Sequence, residues 1–275
     1  MKEKLNYLNV GCGSKYHRDW VNVDIESNSP AVTSGNLLKG IPFPDETFEV
    51  LYHSQVLEHF PKEKAFSFMK ECYRVLKTNG IIRVAVPDLE NIVDEYKKYL
   101  IENSESPNKQ AEEKYDWIML EMFDQTVRNQ GGGDMAKFLK QDTLLDEQYL
   151  FNRIGFVGRS TRNEKSSATH VVSNRIDINR IKWIIRKTPR FIKRKLANLL
   201  LGGKFKLGDF RLGGEIHMWM YDRFSLARLL NQVGFKDIRQ TNAYESVIPD
   251  WNLYELDVKD GLAYDPTALF MEARK

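Results

Sequence analysis

At 275 residues, 42% hydrophobic and 29% charged, the chain has an ordinary globular composition, with length for one large α/β domain or for a core carrying a sizeable insertion. No apolar run approaches the roughly 20 residues that cross a bilayer, Met1 to Gly13 contains no apolar leader core, and the two cysteines, Cys12 and Cys72, form neither a disulfide framework nor a metal-ligand spacing. These features predict a reducing, cytoplasmic setting. The net charge of +3 conceals one basic stretch: residues 175–206 hold eleven Lys or Arg against Asp177, a local charge of +10, which leaves about −7 for the remainder.

In chain order, Tyr7 to Val10 reads as a short apolar strand that runs into Gly11-Cys12-Gly13. Trp20 to Ile25 and Thr47 to Tyr52 read as second and third strands. Pro61 opens a helix at a position where its missing N–H costs nothing. Ala65, Met69, Cys72 and Leu76 continue that helix at helical spacing, and Asn79-Gly80 stops it. Ile81 to Val86 is an apolar strand interrupted only by Arg83. Strands alternating with helices predict a parallel sheet covered on both faces. Residues 101–130 read as an acidic helical stretch, Gly131 to Gly133 as a break, and residues 158–175 as a polar loop. Residues 176–201 read as a basic amphipathic helix broken near Pro189. Phe224 to Val233 is a helix closed by Gly234, and Ile238 to Ser246 and Ala268 to Ala273 are closing strands. The expected organisation is a discontinuous core, 1–100 and 208–275, with 101–207 inserted as a largely helical unit, acidic in its first half and basic in its second.

A glycine turn after a first strand lets a ligand approach backbone where side chains would clash, and Gly11 and Gly13 suit that. An acid at the end of the next strand, Asp24, can accept hydrogen bonds from both hydroxyls of a ribose. The dinucleotide pattern with a third glycine is not met, because Tyr16 stands in its place, and the isolated G-x-G is as compatible with a tight surface turn. More telling is an ordered set: Leu8 to Gly13, Val21 to Ile25, Ile41 to Asp45, Val56 to His59, and Glu71 to Lys77 with Gly80. His217 to Asp222 and Val233 to Phe235 follow in the tail. This set resembles the methyltransferase-11-like branch of class I S-adenosylmethionine (SAM)-dependent methyltransferases over residues 5–90 and again near the end. Residues in between match no group.

The resemblance implies a Rossmann-like, mostly parallel sheet with an antiparallel closing strand. It implies SAM as cofactor and S-adenosylhomocysteine as product. Gly11, Cys12 and Gly13 would pass under the methionine part, Asp24 would bind the ribose, and Ile25 would pack on adenine. Asn36 and Leu37, where the family usually has Asp-Leu, would meet the adenine edge. His53 and Ser54 would line the pocket near the methionine moiety. Only ten residues separate Gly13 from Asp24, so the first crossover helix must be a single turn or absent.

A hydroxyl acceptor would need a general base. Glu58-His59, Asp88 and His217 are the candidates. Each has a structural alternative: a helix-start acid beside a packed histidine, an N-cap, and a core histidine among aromatics. His217 is the preferred base, with Asp88 and His59 behind it, and no metal is predicted. Three functions compete: a methyltransferase acting at oxygen on a small-molecule or glycan-type acceptor, a non-catalytic SAM-fold docking module, and a nicotinamide-dependent oxidoreductase or epimerase. Trp219, Tyr221, Tyr244 and Trp251 could form a stacking wall for a sugar or ring, or simply be core. The basic segment 176–201 suits an anionic membrane surface, with the protein peripheral at the inner face and its acceptor lipid-linked. The bland alternative is a core-facing helix with a solvated outer face, and nucleic acid is the least favoured partner.

Overall fold

The structure, a computed structural model, describes residues 6–25, 27, 29–167, 206–208 and 210–275. Apolar β-branched runs pair first. β1 (Tyr7–Val10) lies between β2 (Val21–Asp24) and β4 (Phe48–Ser54), with β3 (Val32–Ser34) outside β2. β5 (Leu76–Pro87) follows β4, and two later strands, β6 (Lys236–Thr241) and β9 (Ala268–Arg274), complete the order β3-β2-β1-β4-β5-β9-β6. Every pairing is parallel except those of β9, which runs antiparallel to both β5 and β6. A two-stranded ribbon, β7 (Val258–Lys259) and β8 (Leu262–Ala263), precedes β9. The fold is the expected mostly parallel, Rossmann-like sheet with an antiparallel closing strand.

Nothing helical joins β1 to β2. Two buried amides hold that short connection instead. Asn9 Nδ2 donates to Lys15 O at 2.9 Å, and Asn22 Nδ2 donates to His17 O and Trp20 O, each at 2.9 Å. α1 (Lys62–Val75) buries Ala65, Phe68, Met69 and Cys72 against the sheet. The helix ends at Val75 rather than at Asn79-Gly80. Leu76 already pairs with Phe48, and the chain bulges, with Asn79 at φ 64°, before Ile81 meets Val50. α6 (Arg223–Val233) packs beside α1, opened by a capping box between Asp222 and Ser225 and closed by left-handed Gly234.

Between β5 and α6 the chain builds α2 (Leu89–Glu105), α3 (Lys109–Val127), α4 (Gly133–Leu139) and α5 (Glu147–Ser167). They bury their own core of Tyr99, Trp117, Ile118, Leu139 and Leu150, which Met220 joins from the returning chain. Helix α5 breaks at Gly155, whose φ of 51° and ψ of −134° are not helical, and then carries on to Ser167 where a polar loop was expected from residue 158. Arg162 is held locally there: it donates to Glu147 Oε1 and to Leu139 O, both at 3.0 Å. The basic stretch 176–201 and His170 lie outside the described residues. Among those residues no helix is long and apolar enough to cross a membrane. The four aromatics expected as one wall are divided. Tyr221 sits in the main core, Trp251 packs with Trp20 and Tyr52 in a second cluster, and Trp219 and Tyr244 are exposed.

Candidate active site

Four neighbouring parallel strands, β2, β1, β4 and β5, end on one rim, where open α/β sheets bind ligands. Asp24 and Ile25, Gly11 to Gly13, Gln55 to His59, and Asp88 follow those four ends in turn.

The two glycines of the turn are required for different reasons. Gly11 has φ +66°, and a Cβ there would stand 2.4 Å from Val56 Cγ2, so packing within the protein excludes a side chain. Gly13 has φ +52°, and the place of its missing Cβ has nothing within 4 Å. The open backbone is therefore at Gly13. Its N–H donates to Asp24 Oδ2 at 2.7 Å, which fixes the carboxylate beside the turn. This open, glycine-lined turn with a carboxylate at its edge fits the ribose and methionine ends of SAM. Cys12 is buried, and burial together with the nearby Asp24 pushes its thiol up to about 11, so it is no nucleophile at neutral pH.

Ile25 is 59% exposed and presents an apolar surface at the rim. Asn36 caps a short turn, accepting from Leu38 N at 3.0 Å, with Leu37 half-buried behind it. Ser54 ends β4 and is half-buried. His53, expected beside the methionine moiety, is instead wholly buried with its ring on Phe68 of α1 at 5.3 Å, and burial alone lowers its pKa to about 3. In-out alternation along β4 turns His53 toward α1. Asp88 serves as the N-cap of α2, accepting from Glu90 N at 3.0 Å, and its backbone bridges Tyr221. Burial raises its pKa.

The remaining candidates come together. Leu57 to His59 form a single turn, and the returning chain is stitched to it. Met218 N and Trp219 N donate to Glu58 O at 2.7 and 3.2 Å, while His217 N donates to Gln125 O at 3.0 Å. His59 Nδ1 lies 3.1 Å from Ile216 O; a carbonyl only accepts, so Nδ1 carries the proton and Nε2 holds the lone pair. The imidazoles of His59 and His217 meet edge to face at 4.8 Å. Glu58 Oε1 lies 3.9 Å from His59 Nε2 and 4.0 Å from His217 Nε2. Glu58 is wholly buried, and neither carboxyl oxygen has a hydrogen-bond partner of good geometry among the described residues, only the backbone of Val56 and Glu58 lying near it. Burial raises its carboxyl pKa to about 8, and burial, then the neighbouring His59, lowers the imidazole of His217 to about 3. At pH 7 this is a largely uncharged group.

Sequence reasoning missed Lys15 and Asp265. Lys15, from the β1–β2 connection, lies in the field of Asp257, Asp265 and Glu58 and sits 4.8 Å over the Tyr264 ring. Asp265 accepts from Gln55 Nε2 at 3.0 Å, which ties the approach to β9 to the end of β4. No local pattern marks either residue; only the closing strand brings them to the rim. Two surface hollows, one lined by Asp45, Lys70, Glu71 and Arg74 and the other by Leu100, Asn103 and Tyr115, lie elsewhere.

Residues 8–84 match the methyltransferase domain family. No curated protein matches the chain. Among solved structures, a SAM-dependent methyltransferase from Archaeoglobus fulgidus is 12% identical, with 100% of this chain and 87% of that one covered and a TM-score of 0.39. A SAM-dependent methyltransferase from Thermotoga maritima is 11% identical, covers 98% and 82%, and has a TM-score of 0.38. The cyclase SpnF is 22% identical over 30% of this chain, which spans only 38% of that protein, with a TM-score of 0.26. The stretch that is similar to this methyltransferase domain family runs from β1 into β5 and includes the glycine turn.

Proposed function

We propose that the chain methylates an oxygen of a small-molecule or glycan-type acceptor at the rim formed by β2, β1, β4 and β5. The observation that carries this reading is the open turn at Gly13 with Asp24 fixed beside it, on the same strand-end rim as the uncharged Glu58–His59–His217 group. SAM supplies a methyl group on a sulfonium, an excellent leaving group. Asp24 holds the ribose, Ile25 covers adenine, and Asn36 with the Leu37 N–H meets the adenine edge. Gly11, Cys12 and Ser54 shape the methionine end. The acceptor hydroxyl is received by the Glu58–His59–His217 group. His217 is uncharged at working pH, so its lone pair can take the acceptor proton. Its burial also makes it a weak base, which leaves positioning as the larger source of rate. Asp88, occupied as a cap, orients α2 at the edge of the site. The basic composition of 176–201 supports an acceptor carried on an anionic membrane surface; flotation with anionic vesicles at low salt tests that part.

Calorimetry with SAM on the full chain and on Asp24→Ala is the first test. Losing hydrogen bonds to a charged group should weaken SAM by about tenfold to a hundredfold. Equal affinity in a folded Asp24→Ala chain removes the cofactor assignment. With a turned-over acceptor, His217→Ala should lower S-adenosylhomocysteine formation about a hundredfold or more while leaving SAM affinity intact. SAM binding with no turnover on any hydroxylated acceptor would favour a docking module.

A further inference from the structure

The three side chains at the end of β4 and in the returning chain have a chemistry that methyl transfer alone does not explain. A buried carboxyl without a partner is costly, and it is retained where something else satisfies it. The helix dipole is no answer, because Glu58 belongs to the turn Leu57–His59, before α1 begins at Lys62. One donor atom from each of Glu58, His59 and His217 lies within 4.8 Å of the other two. From these contacts we infer that Glu58, His59 and His217 form a binding site for a divalent first-row transition cation, bound through Glu58 Oε1, His59 Nε2 and His217 Nε2.

Two imidazoles and a carboxylate are a donor set that suits zinc or cobalt better than magnesium, which prefers oxygen alone. The histidine geometry is also that of a ligand. His59 Nδ1 donates to the Ile216 carbonyl, which fixes the tautomer and leaves Nε2 with the lone pair facing Glu58. Backbone bonds from Met218 and Trp219 to Glu58 O hold the two halves of the site together across about 160 residues of sequence. Donors on a tetrahedral ion at about 2.1 Å stand roughly 3.4 Å apart. The carboxylate–imidazole separations of 3.9 and 4.0 Å therefore close by about half an ångström on binding. Three protein donors leave a fourth position for water or an acceptor oxygen. The inference rests on the proposed acceptor site and alters one part of it, because a cation on His217 Nε2 occupies the lone pair that would otherwise take the acceptor proton; ion binding is read without SAM or acceptor, so either can fail alone.

The test uses the full chain, stripped with chelator and titrated separately with Zn²⁺, Co²⁺ and Mg²⁺. One equivalent of Zn²⁺ or Co²⁺ should bind, the cobalt form with visible absorption typical of nitrogen and oxygen ligands, and Mg²⁺ should bind far more weakly. The double substitution His59→Ala and His217→Ala should weaken Zn²⁺ by at least about a hundredfold. Should that variant not fold, Glu58→Gln, which keeps the shape, is the deciding one and should weaken Zn²⁺ at least about tenfold. Stoichiometric Zn²⁺ binding that survives these substitutions, or none in the unaltered chain, overturns the site.

Discussion

Two of the buried groups of ionisable side chains among the described residues are handled in opposite ways. One is a row across four strands. In register, Tyr52 of β4, Arg83 of β5, Glu272 of β9 and Arg239 of β6 are neighbours. Arg83, wholly buried, donates to Asp257 Oδ2 and Glu272 Oε1 at 2.7 Å each, and to the carbonyls of Asn242 and Glu245. Tyr52, Ser246, the Val247 N–H and Arg239 complete the carboxylates. The other group, Glu58 with His59 and His217, has a carboxyl that no described residue hydrogen-bonds with good geometry. Burial alone therefore does not mark function. A satisfied cluster specifies which strands pair, whereas an unsatisfied one at a strand-end rim is kept ready for a ligand.

Substitutions can break that contrast. Arg83→Met leaves Asp257 as a buried carboxyl with no charged partner and Glu272 with Arg239 alone, and should cost about 3 to 5 kcal/mol in urea unfolding; a loss under about 1 kcal/mol would mean the row is not structural. Asp265 is an intermediate case, half-buried, with its carboxyl pushed up to about 6 mainly by burial. Its folded pKa lies above its unfolded one, so between about pH 4 and 6 the folded state holds a proton that the unfolded state has lost. Stability falls as pH rises through that window, and the cost persists above it. Asp265→Asn should remove that slope and gain about 1 to 2 kcal/mol at pH 8, after allowance for partial exposure. Parallel stability–pH curves for the two chains would show that its carboxyl is already paid back by Lys15. Glu58→Gln should leave the stability of the ion-free chain nearly unchanged at pH 4 and raise it above about pH 5, because burial holds the carboxyl protonated up to about pH 8 and the amide carries no such cost. A large destabilisation would place Glu58 with the Arg83 row instead.

Much of the sheet was legible because its signals are local. The apolar run Tyr7 to Val10, the glycine turn, the acid at Asp24 and the capped helix before Gly234 each carry their pattern within a few residues. The missing crossover helix followed from chain length alone. What was not legible depends on contacts between distant residues. Arg83 read as a blemish in an apolar strand until β9 and residues 242–257 supplied its partners. His53 and Ser54 stand next to each other, yet the pleat sends His53 into the core. Glu58 and His59 could be listed beside His217 as rival bases, but backbone bonds across the molecule make them one group. Helix α5 overran the expected loop because Arg162 ties it back to Glu147 and Leu139.

The antiparallel strand β9 lies between β5 and β6, though it is made after both. During synthesis, β1 to β5 can assemble in order, but β5 must wait with one edge open while about 180 residues follow. Strand β6 emerges before the neighbour it pairs with. Until Ala268 to Arg274 arrive, the Arg83 guanidinium has no Glu272, and the approach carrying Asp265 is not yet tethered to Gln55. The central row is thus assembled last, and the interval before closure is when this chain is most exposed to edge-to-edge aggregation and most in need of a chaperone.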